Sequence, residues 1–242
     1  MRIYKTYTPP PPSLVFPLER IDYKAIQEEP ETIPSYEPIE SIIPIVVCVN
    51  YDDFLAITLK TNRHLFSKYI VITDPNDIPT QELCAKYDVD CRIYKYFYNN
   101  AKFNKSGAIN WVQHDIHQAH PDKWILILDS DIVLPPDFPS FINTDKLRTD
   151  TMYGILRKNF TTLDSFTRKD GDIIREGIGM GYFQLYHTQK TFYPPFSNSA
   201  TACDCIFKDL FKKCSYLTKT RYVSHLGYTF TNHNGRVSIR WD

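Results

Sequence analysis

The chain reads WILILDSDIVLP over residues 124–135. Five apolar residues lead directly into Asp129, and Asp131 follows two positions later. A short, continuously apolar run is typical of a strand that is covered on both faces, as in a parallel sheet. Two carboxylates at the end of such a strand stand where the backbone leaves the sheet. They can therefore face one divalent cation, which prefers oxygen ligands.

The upstream sequence alternates between strand and helix patterns. Buried strands are predicted at residues 42–49 (IIPIVVCV) and 69–73 (YIVIT), and a third near residues 91–94. Helices are predicted from the polar residues after the first strand to about Asn62, around residues 80–87, and over residues 104–120. This alternation predicts an α/β fold whose mostly parallel central sheet is flanked by helices. The alternation fades after residue 150, so a mixed C-terminal half is expected.

Proline marks a different segment at the N-terminus. Nine of the 17 prolines lie in residues 1–44, and Pro9–Pro12 form an uninterrupted run that favours an extended polyproline conformation. We interpret residues 1–40 as an arm that either lies on the surface or mediates docking or homo-oligomerisation. Residues 41–242 are predicted to form a single domain with two halves, 41–135 and 136–242.

Composition excludes several classes of protein. Lys+Arg and Asp+Glu are 28 each, and this balance argues against a nucleic-acid partner. No apolar run approaches the ~20 residues of a membrane helix, and no apolar signal core follows Met1. The six cysteines show no CxxC pair and are expected to be free thiols. A cytoplasmic location is expected.

Five segments, in this order, resemble one enzyme family: FNKSGAIN at residues 103–110, the strand and turn at 124–136, GYFQL at 181–185, HLG at 225–227 and NGR at 234–236. They resemble the GT-A type glycosyltransferases that use nucleotide-diphospho-sugars, and family-2-like members in particular. The likeness covers about residues 42–240, with Ser106 in place of the usual glycine. It implies a Rossmann-like GT-A fold whose first half binds the nucleotide-sugar and whose second half binds the acceptor.

The resemblance also implies a site. Mn²⁺ or Mg²⁺ would be held by Asp131 and His225, with Asp129 as a further ligand or in contact with ribose or metal-bound water. Asp204 would be the general base, and Glu176 is the second choice. The nucleotide-diphosphate sugar would be contacted by residues near the strand ends and near the C-terminus: Val49, Asn50, Tyr51, Asp74, Asn104, Lys105, Asp129, Ser130 and Arg236.

Each of these assignments has a structural alternative. Asn50 and Asp204 suit helix N-caps, and Asp74 suits an N-cap or the start of an Asp-Pro turn. Lys105 and Arg236 suit solvated basic positions.

The implied function is metal-dependent transfer of a sugar, with UDP favoured as carrier, to a hydroxyl acceptor by inverting direct displacement. One alternative is a phosphatase of the haloacid dehalogenase type, with Asp129 as nucleophile and Asp131 as acid/base. Another is a non-catalytic carbohydrate-binding module on the same scaffold. Nucleotidyl transfer is disfavoured because NYDD, at residues 50–53, lacks the glycine-rich loop that it needs.

Overall fold

The computed structural model describes residues 35–174, 181–188, 191–200, 202–227, 232, 234, 236–238, 240 and 241. Glu176 and most of the predicted N-terminal arm lie outside these residues. The strands, in chain order, are β1 (Ile42–Val47), β2 (Ile70–Thr73), β3 (Asp90–Ile93), β4 (Trp124–Asp129), β5 (Ile132–Val133), β6 (Thr151–Gly154), β7 (Leu156–Phe160), β8 (Asp172–Ile174), β9 (Phe183–His187), β10 (Lys213–Tyr216) and β11 (Tyr222–Leu226).

Six α-helices connect these strands within the described residues. They are α1 (Asp52–Asn62), α2 (Ile78–Lys86), α3 (Lys105–Ala119), α4 (Phe138–Phe141), α5 (Leu163–Thr167) and α6 (Cys203–Lys208). No helix in this part of the chain is long and apolar enough to cross a membrane. The four strands and three helices predicted upstream of residue 130 are all present, and their ends differ from the predicted ones by two residues at most.

The central sheet has seven strands in the order β10-β6-β9-β4-β1-β2-β3. Strands β1 to β4 pair in parallel, as do β6 and β10, whereas β9 runs antiparallel to both β4 and β6. The predicted α/β fold with a mostly parallel sheet is confirmed. The second half of the chain extends this sheet and also forms a smaller one, in the order β5-β11-β7-β8.

Alternate residues of the central strands face two separate apolar layers. Val46 and Leu126 pack with α1 and α2, whereas Ile45 and Ile125 pack with α3 and α6. Burying an aliphatic side chain of this size stabilises the fold by about 2 kcal/mol. Both faces of these strands are therefore covered, which explains their unbroken apolar sequences. Cys48 is buried in the first layer, and all six cysteines are free thiols, as expected.

Candidate functional site

The two acids of the DSD turn lie where the chain passes from the large sheet to the small one. Asp129 is the last residue of β4, and Asp131 immediately precedes β5. The Asp129 amide donates to the Tyr182 carbonyl at 3.2 Å, and the Leu226 amide donates to the Asp131 carbonyl at 2.9 Å. The backbone of the turn is therefore fixed from both sides, at the carboxyl edge of the parallel strands where α/β proteins bind ligands.

Helix α1 fixes the same turn through two buried polar side chains. Thr58 donates its hydroxyl to the Ser130 carbonyl at 3.0 Å. Asn62 donates to the Ile132 carbonyl at 2.8 Å and accepts from the Leu134 amide at 2.9 Å. The sequence prediction missed both residues. The available signal was a pair of polar residues, four apart, on the helical face that carries Leu55 and Leu59.

Asp131 and His225 face each other across the small sheet. His225 pairs with Ile132 in the antiparallel β5–β11 ladder, and its Nε2 lies 3.6 Å from Asp131 Oδ2. Burial, helped by the positive charge of Arg157, lowers the pKa of His225 to about 3, so the imidazole is neutral at pH 7. Burial and the charge of Asp129 raise the pKa of Asp131 to about 8. A cation beside the Asp131 carboxylate would lower the pKa of Asp131 again, because it favours the charged form.

This pair suits a divalent cation. Ligand atoms lie about 2.1 Å from Mg²⁺ or similar ions, so two ligands of one ion can be up to about 4 Å apart. Among the described residues, Asp131 Oδ1 and His225 Nδ1 are buried and have no hydrogen-bond partner. No group of three His, Cys, Asp or Glu side chains in that part of the chain could hold a metal. Asp131 and His225 would supply two ligands, and phosphate oxygens and water commonly complete the coordination of such ions.

Lys105 connects Asp129 to Asp204. Its ammonium lies 2.8 Å from Asp129 Oδ1 and 3.4 Å from Asp204 Oδ2, although the two acids are 75 residues apart in sequence. Lys105 is only 6% exposed. Burial opposes its charge, but the two carboxylates outweigh burial and hold the pKa of Lys105 above its usual value. The solvated-lysine interpretation is therefore wrong, and Asp129 faces Lys105.

Asp204 is held between Tyr193 and Gly181. Tyr193 donates its hydroxyl to Asp204 Oδ1 at 2.8 Å, and a methyl group at Gly181 would overlap the same carboxylate. The N-cap of α6 is Ala202, which makes no side-chain capping bond, so the N-cap interpretation of Asp204 is wrong. Tyr193 was missed from the sequence, where nothing distinguishes it from the other 16 tyrosines.

The predicted base-binding residues gather around the end of β1. Asn50 adopts a left-handed conformation with φ of 63°, and its amide donates to Asp77 Oδ2 at 2.7 Å. The N-cap of α1 is Tyr51, so the capping interpretation of Asn50 is wrong. Asp74 forms the expected turn, because its Oδ1 accepts from the Asn76 amide at 2.9 Å. Val49 is buried in the second apolar layer.

Two other predicted donor-binding residues are already engaged in the protein. The Arg236 guanidinium forms a bidentate ion pair with buried Asp53 and lies 4.8 Å from the centre of the Tyr51 ring. It is therefore not a solvated basic residue. Asn104 caps α3, with its side-chain oxygen accepting from the Gly107 amide at 3.0 Å and the Ser197 amide at 2.8 Å.

The structure thus brings together Asp129, Asp131, His225, Lys105 and Asp204 at one edge of the central sheet. A surface hollow lined by His114, His117, Thr188 and Phe192 lies near the other end of α3. None of the predicted site residues lines it.

Comparison with known proteins gives similarity at the level of the fold. No family model and no curated protein matches the sequence. Glucosyl-3-phosphoglycerate synthase from Mycobacterium tuberculosis, in complex with Mn²⁺, UDP-glucose and phosphoglyceric acid, is 11% identical with a TM-score of 0.47. That alignment covers 79% of this chain and 73% of the synthase.

Two other similar structures carry different names. 4-Diphosphocytidyl-2C-methyl-D-erythritol synthase is 8% identical with a TM-score of 0.44, over 74% of this chain and 88% of that one. A cytidylyltransferase from Leptospira borgpetersenii is 11% identical with a TM-score of 0.41, over 84% and 82%.

Proposed function

We propose that this chain is a metal-dependent glycosyltransferase. It moves a sugar from a nucleotide-diphosphate sugar to a hydroxyl acceptor by inverting direct displacement. The observation that carries the proposal is the convergence of Asp131 and neutral His225 with the Lys105-linked carboxylates of Asp129 and Asp204. Cation ligands and a base for the acceptor proton thus lie at one sheet edge.

Asp131 and His225 would hold Mn²⁺ or Mg²⁺ through Oδ2 and Nε2. The bound cation would neutralise negative charge that develops on the departing diphosphate. Neutral imidazole and carboxylate are both suitable ligands for such ions. Lys105 contributes a second positive charge, 2.8 Å from Asp129, on the first turn of α3.

Asp204 would take the proton from the acceptor. As the acceptor oxygen bonds to the anomeric carbon, the bond from that carbon to the diphosphate oxygen breaks, and the acceptor proton passes to Asp204. Tyr193 donates to Oδ1 of this carboxylate and the Lys105 ammonium lies 3.4 Å from Oδ2, so both oxygens of the proposed base are held in place. General-base assistance of this kind contributes typically 10²–10⁴-fold to the rate. Glu176, the second choice, stays a prediction from the sequence.

UDP is the favoured carrier because Asp74 follows β2, where a carboxylate can accept a hydrogen bond from an N–H group of uracil. Within the described residues, both bonds to the Asp74 side chain fall on Oδ1, from the amide and the side chain of Asn76. Oδ2 is thus available to a base. Asn50 and Tyr51 stand beside this position at the end of β1. Arg236 covers one face of the Tyr51 ring, so a base would stack on the other face or displace Arg236.

The test is thermal unfolding with UDP-, GDP-, ADP- and CDP-sugars, with and without Mn²⁺. We expect one nucleotide to raise the unfolding temperature only when Mn²⁺ is present. A ligand at 100 times its Kd adds about 2.7 kcal/mol to stability, which this assay resolves easily. Asp131→Asn should abolish the joint effect, whereas Asp145→Asn, an exposed acid in another segment, should retain it.

Product analysis separates the competing functions. Sugar transfer or slow hydrolysis of the nucleotide-sugar, lost in Asp131→Asn, supports glycosyl transfer. Pyrophosphate release from a nucleoside triphosphate would indicate nucleotidyl transfer. Hydrolysis of a simple phosphate ester without nucleotide-sugar binding would indicate the phosphatase alternative. No response to any nucleotide would contradict the proposal.

A further inference from the structure

Strands β11 and β7 place an asparagine beside the proposed histidine ligand. His225 and Asn159 are partners in the parallel register of these strands. Partners on adjacent strands project to the same face of a sheet, with backbones about 4.8 Å apart. His225 Nδ1 and Asn159 Oδ1 are both buried and, among the described residues, both lack a hydrogen-bond partner. One atom can carry a proton and the other can accept it.

Metal ligation decides which imidazole nitrogen carries the proton. Nε2 is the nitrogen that faces Asp131, at 3.6 Å from Oδ2. A neutral imidazole whose Nε2 coordinates a cation carries its proton on Nδ1. Histidine ligands almost always donate that second N–H to a carboxylate, carbonyl or water, which fixes the ring orientation. Leaving it unpaired in a buried position is destabilising.

We infer that Asn159 is a positioning residue for His225. Once Nε2 binds the cation, the Asn159 amide oxygen would accept the Nδ1–H hydrogen bond, which neither of these unpartnered atoms makes in the described structure, and so hold Nε2 toward the cation. The inference rests on the proposed function, because it assumes a cation on Asp131 and His225. Asn159 touches neither the sugar nor the reacting atoms and acts through His225.

The neighbouring strand explains the orientation of the amide. Asn159 is also the register partner of Asp172 on β8. An acidic neighbour on that side attracts the amide NH₂ group, because a carboxylate only accepts hydrogen bonds. With the NH₂ group turned toward β8, Oδ1 would face His225. Asp172, Asn159 and His225 thus form one row across β8, β7 and β11.

The other polar residues of β7 have different surroundings. Arg157, two positions earlier on the same face as Asn159, lies over the Tyr182 ring at 4.7 Å and carries a positive charge, so it cannot accept the proton. Lys158 projects to the opposite face, where its ammonium lies 5.2 Å from the centre of the Tyr222 ring. Lys158 therefore provides a matched control on the same strand.

The experiment measures Mn²⁺ affinity by electron paramagnetic resonance for the wild type, Asn159→Leu, Asn159→Asp and Lys158→Met. Loss of an outer-shell partner typically weakens metal binding 10–100-fold. We expect a loss of that size in Asn159→Leu, near-wild-type affinity in Asn159→Asp, which keeps an acceptor oxygen, and no change in Lys158→Met. Thermal unfolding of each metal-free variant separates affinity from folding.

A second readout does not depend on affinity. Imidazole ¹⁵N spectra of the Mg²⁺-loaded protein, with His225 assigned by its loss in His225→Gln, should show the proton on Nδ1 in the wild type. In Asn159→Leu the resonance should show faster solvent exchange. Wild-type affinity and exchange in Asn159→Leu would overturn this inference alone. Failure of the wild type to bind Mn²⁺ would overturn the proposed metal site and this inference with it.

Discussion

Gly181→Ala tests the position of Asp204 with a single methyl group. Gly227, with φ of 94°, is the described glycine that needs positive φ, so Gly181 has no such backbone requirement. The conflict is steric. A Cβ at Gly181 would overlap Oδ2 and Cγ of Asp204 and lie 2.9 Å from its Cβ. The variant therefore displaces the proposed base without changing its chemistry.

The size of the effect follows from the contacts that Asp204 must give up. To reach ordinary van der Waals separation the carboxylate must retreat by roughly 1.5 Å. It then leaves Tyr193, 2.8 Å from Oδ1, and Lys105, 3.4 Å from Oδ2. Misplacing a reacting group by 1 Å can cost ~10²-fold in rate, and overpacking costs about 1–3 kcal/mol. We expect kcat to fall about 100-fold and unfolding free energy by about 2 kcal/mol.

The assay combines steady-state kinetics with urea unfolding of four proteins: the wild type, Gly181→Ala, Asp204→Ala and the double variant. Nucleotide affinity should be unchanged, because the clash is on the side that we propose for the acceptor. In the Asp204→Ala background the Gly181 change should cost less stability, since most of the clashing atoms are gone. Coupling of contacting residues is typically 0.5–3 kcal/mol. Wild-type kcat and stability in Gly181→Ala, or strictly additive effects, would refute the placement of Asp204.

Three other perturbations address the supporting structure. Asn62→Leu removes the partner of two buried backbone groups just after the DSD turn, the Ile132 carbonyl and the Leu134 amide, and should lower the free energy of unfolding by roughly 3 kcal/mol. An unchanged midpoint of urea unfolding would contradict this. Arg236→Met breaks the ion pair with Asp53, whose two side chains are 9% and 2% exposed, and should lower the free energy of unfolding by about 3 kcal/mol. Arg240→Met breaks the more exposed ion pair with Asp52 and should lower it by under about 1 kcal/mol. Hydrogen bonds from Arg240 hold the pKa of Asp52 below its ordinary value. Burial opposes the charge of Asp53, but hydrogen bonds from Arg236 and from the Trp241 amide outweigh burial, so the pKa of Asp53 is lowered as well. Below about pH 5 the unfolded state binds more protons than the folded state, so both ion pairs stabilise the protein above that pH and lose this contribution on acidification. Between pH 6 and pH 3 the free energy of unfolding should therefore fall less steeply in Arg236→Met than in the wild type. Parallel pH profiles of the two proteins would argue against the Arg236–Asp53 pair.

The secondary structure around the site was predictable because its signals are local. The apolar runs at residues 42–49, 69–73 and 124–128 are β1, β2 and β4, because a strand buried on both faces leaves no polar position in its sequence. The turn after β4 was predictable for the same reason, since Asp129 is the first polar residue of the run. Capping was predicted less well. The caps of α1 and α2 are Tyr51 and Asp77, one and three positions after the predicted candidates Asn50 and Asp74.

The partners of the charged residues were not predictable, because they depend on distant parts of the chain. From the sequence, Lys105 was predicted either to be solvated or to contact the nucleotide-sugar. In the structure, the packing of α3 against α6 encloses its side chain between Asp129 and Asp204. Arg236 was predicted to contact the nucleotide-sugar or to be solvated, and in the structure it pairs with Asp53, 183 residues away. Single side chains such as Asn62 and Tyr193 carry no local signal for such contacts.

By itself, then, the sequence determined where strands end and that two acids emerge there, because periodicity and burial act over a few residues. Only the tertiary structure decided that Asp131 faces His225, that Asp129 faces Lys105, and that Asn159 stands beside the histidine. Electrostatic pairing and hydrogen bonding act over about 3 Å in space, and strand order brings together residues that chain position keeps far apart.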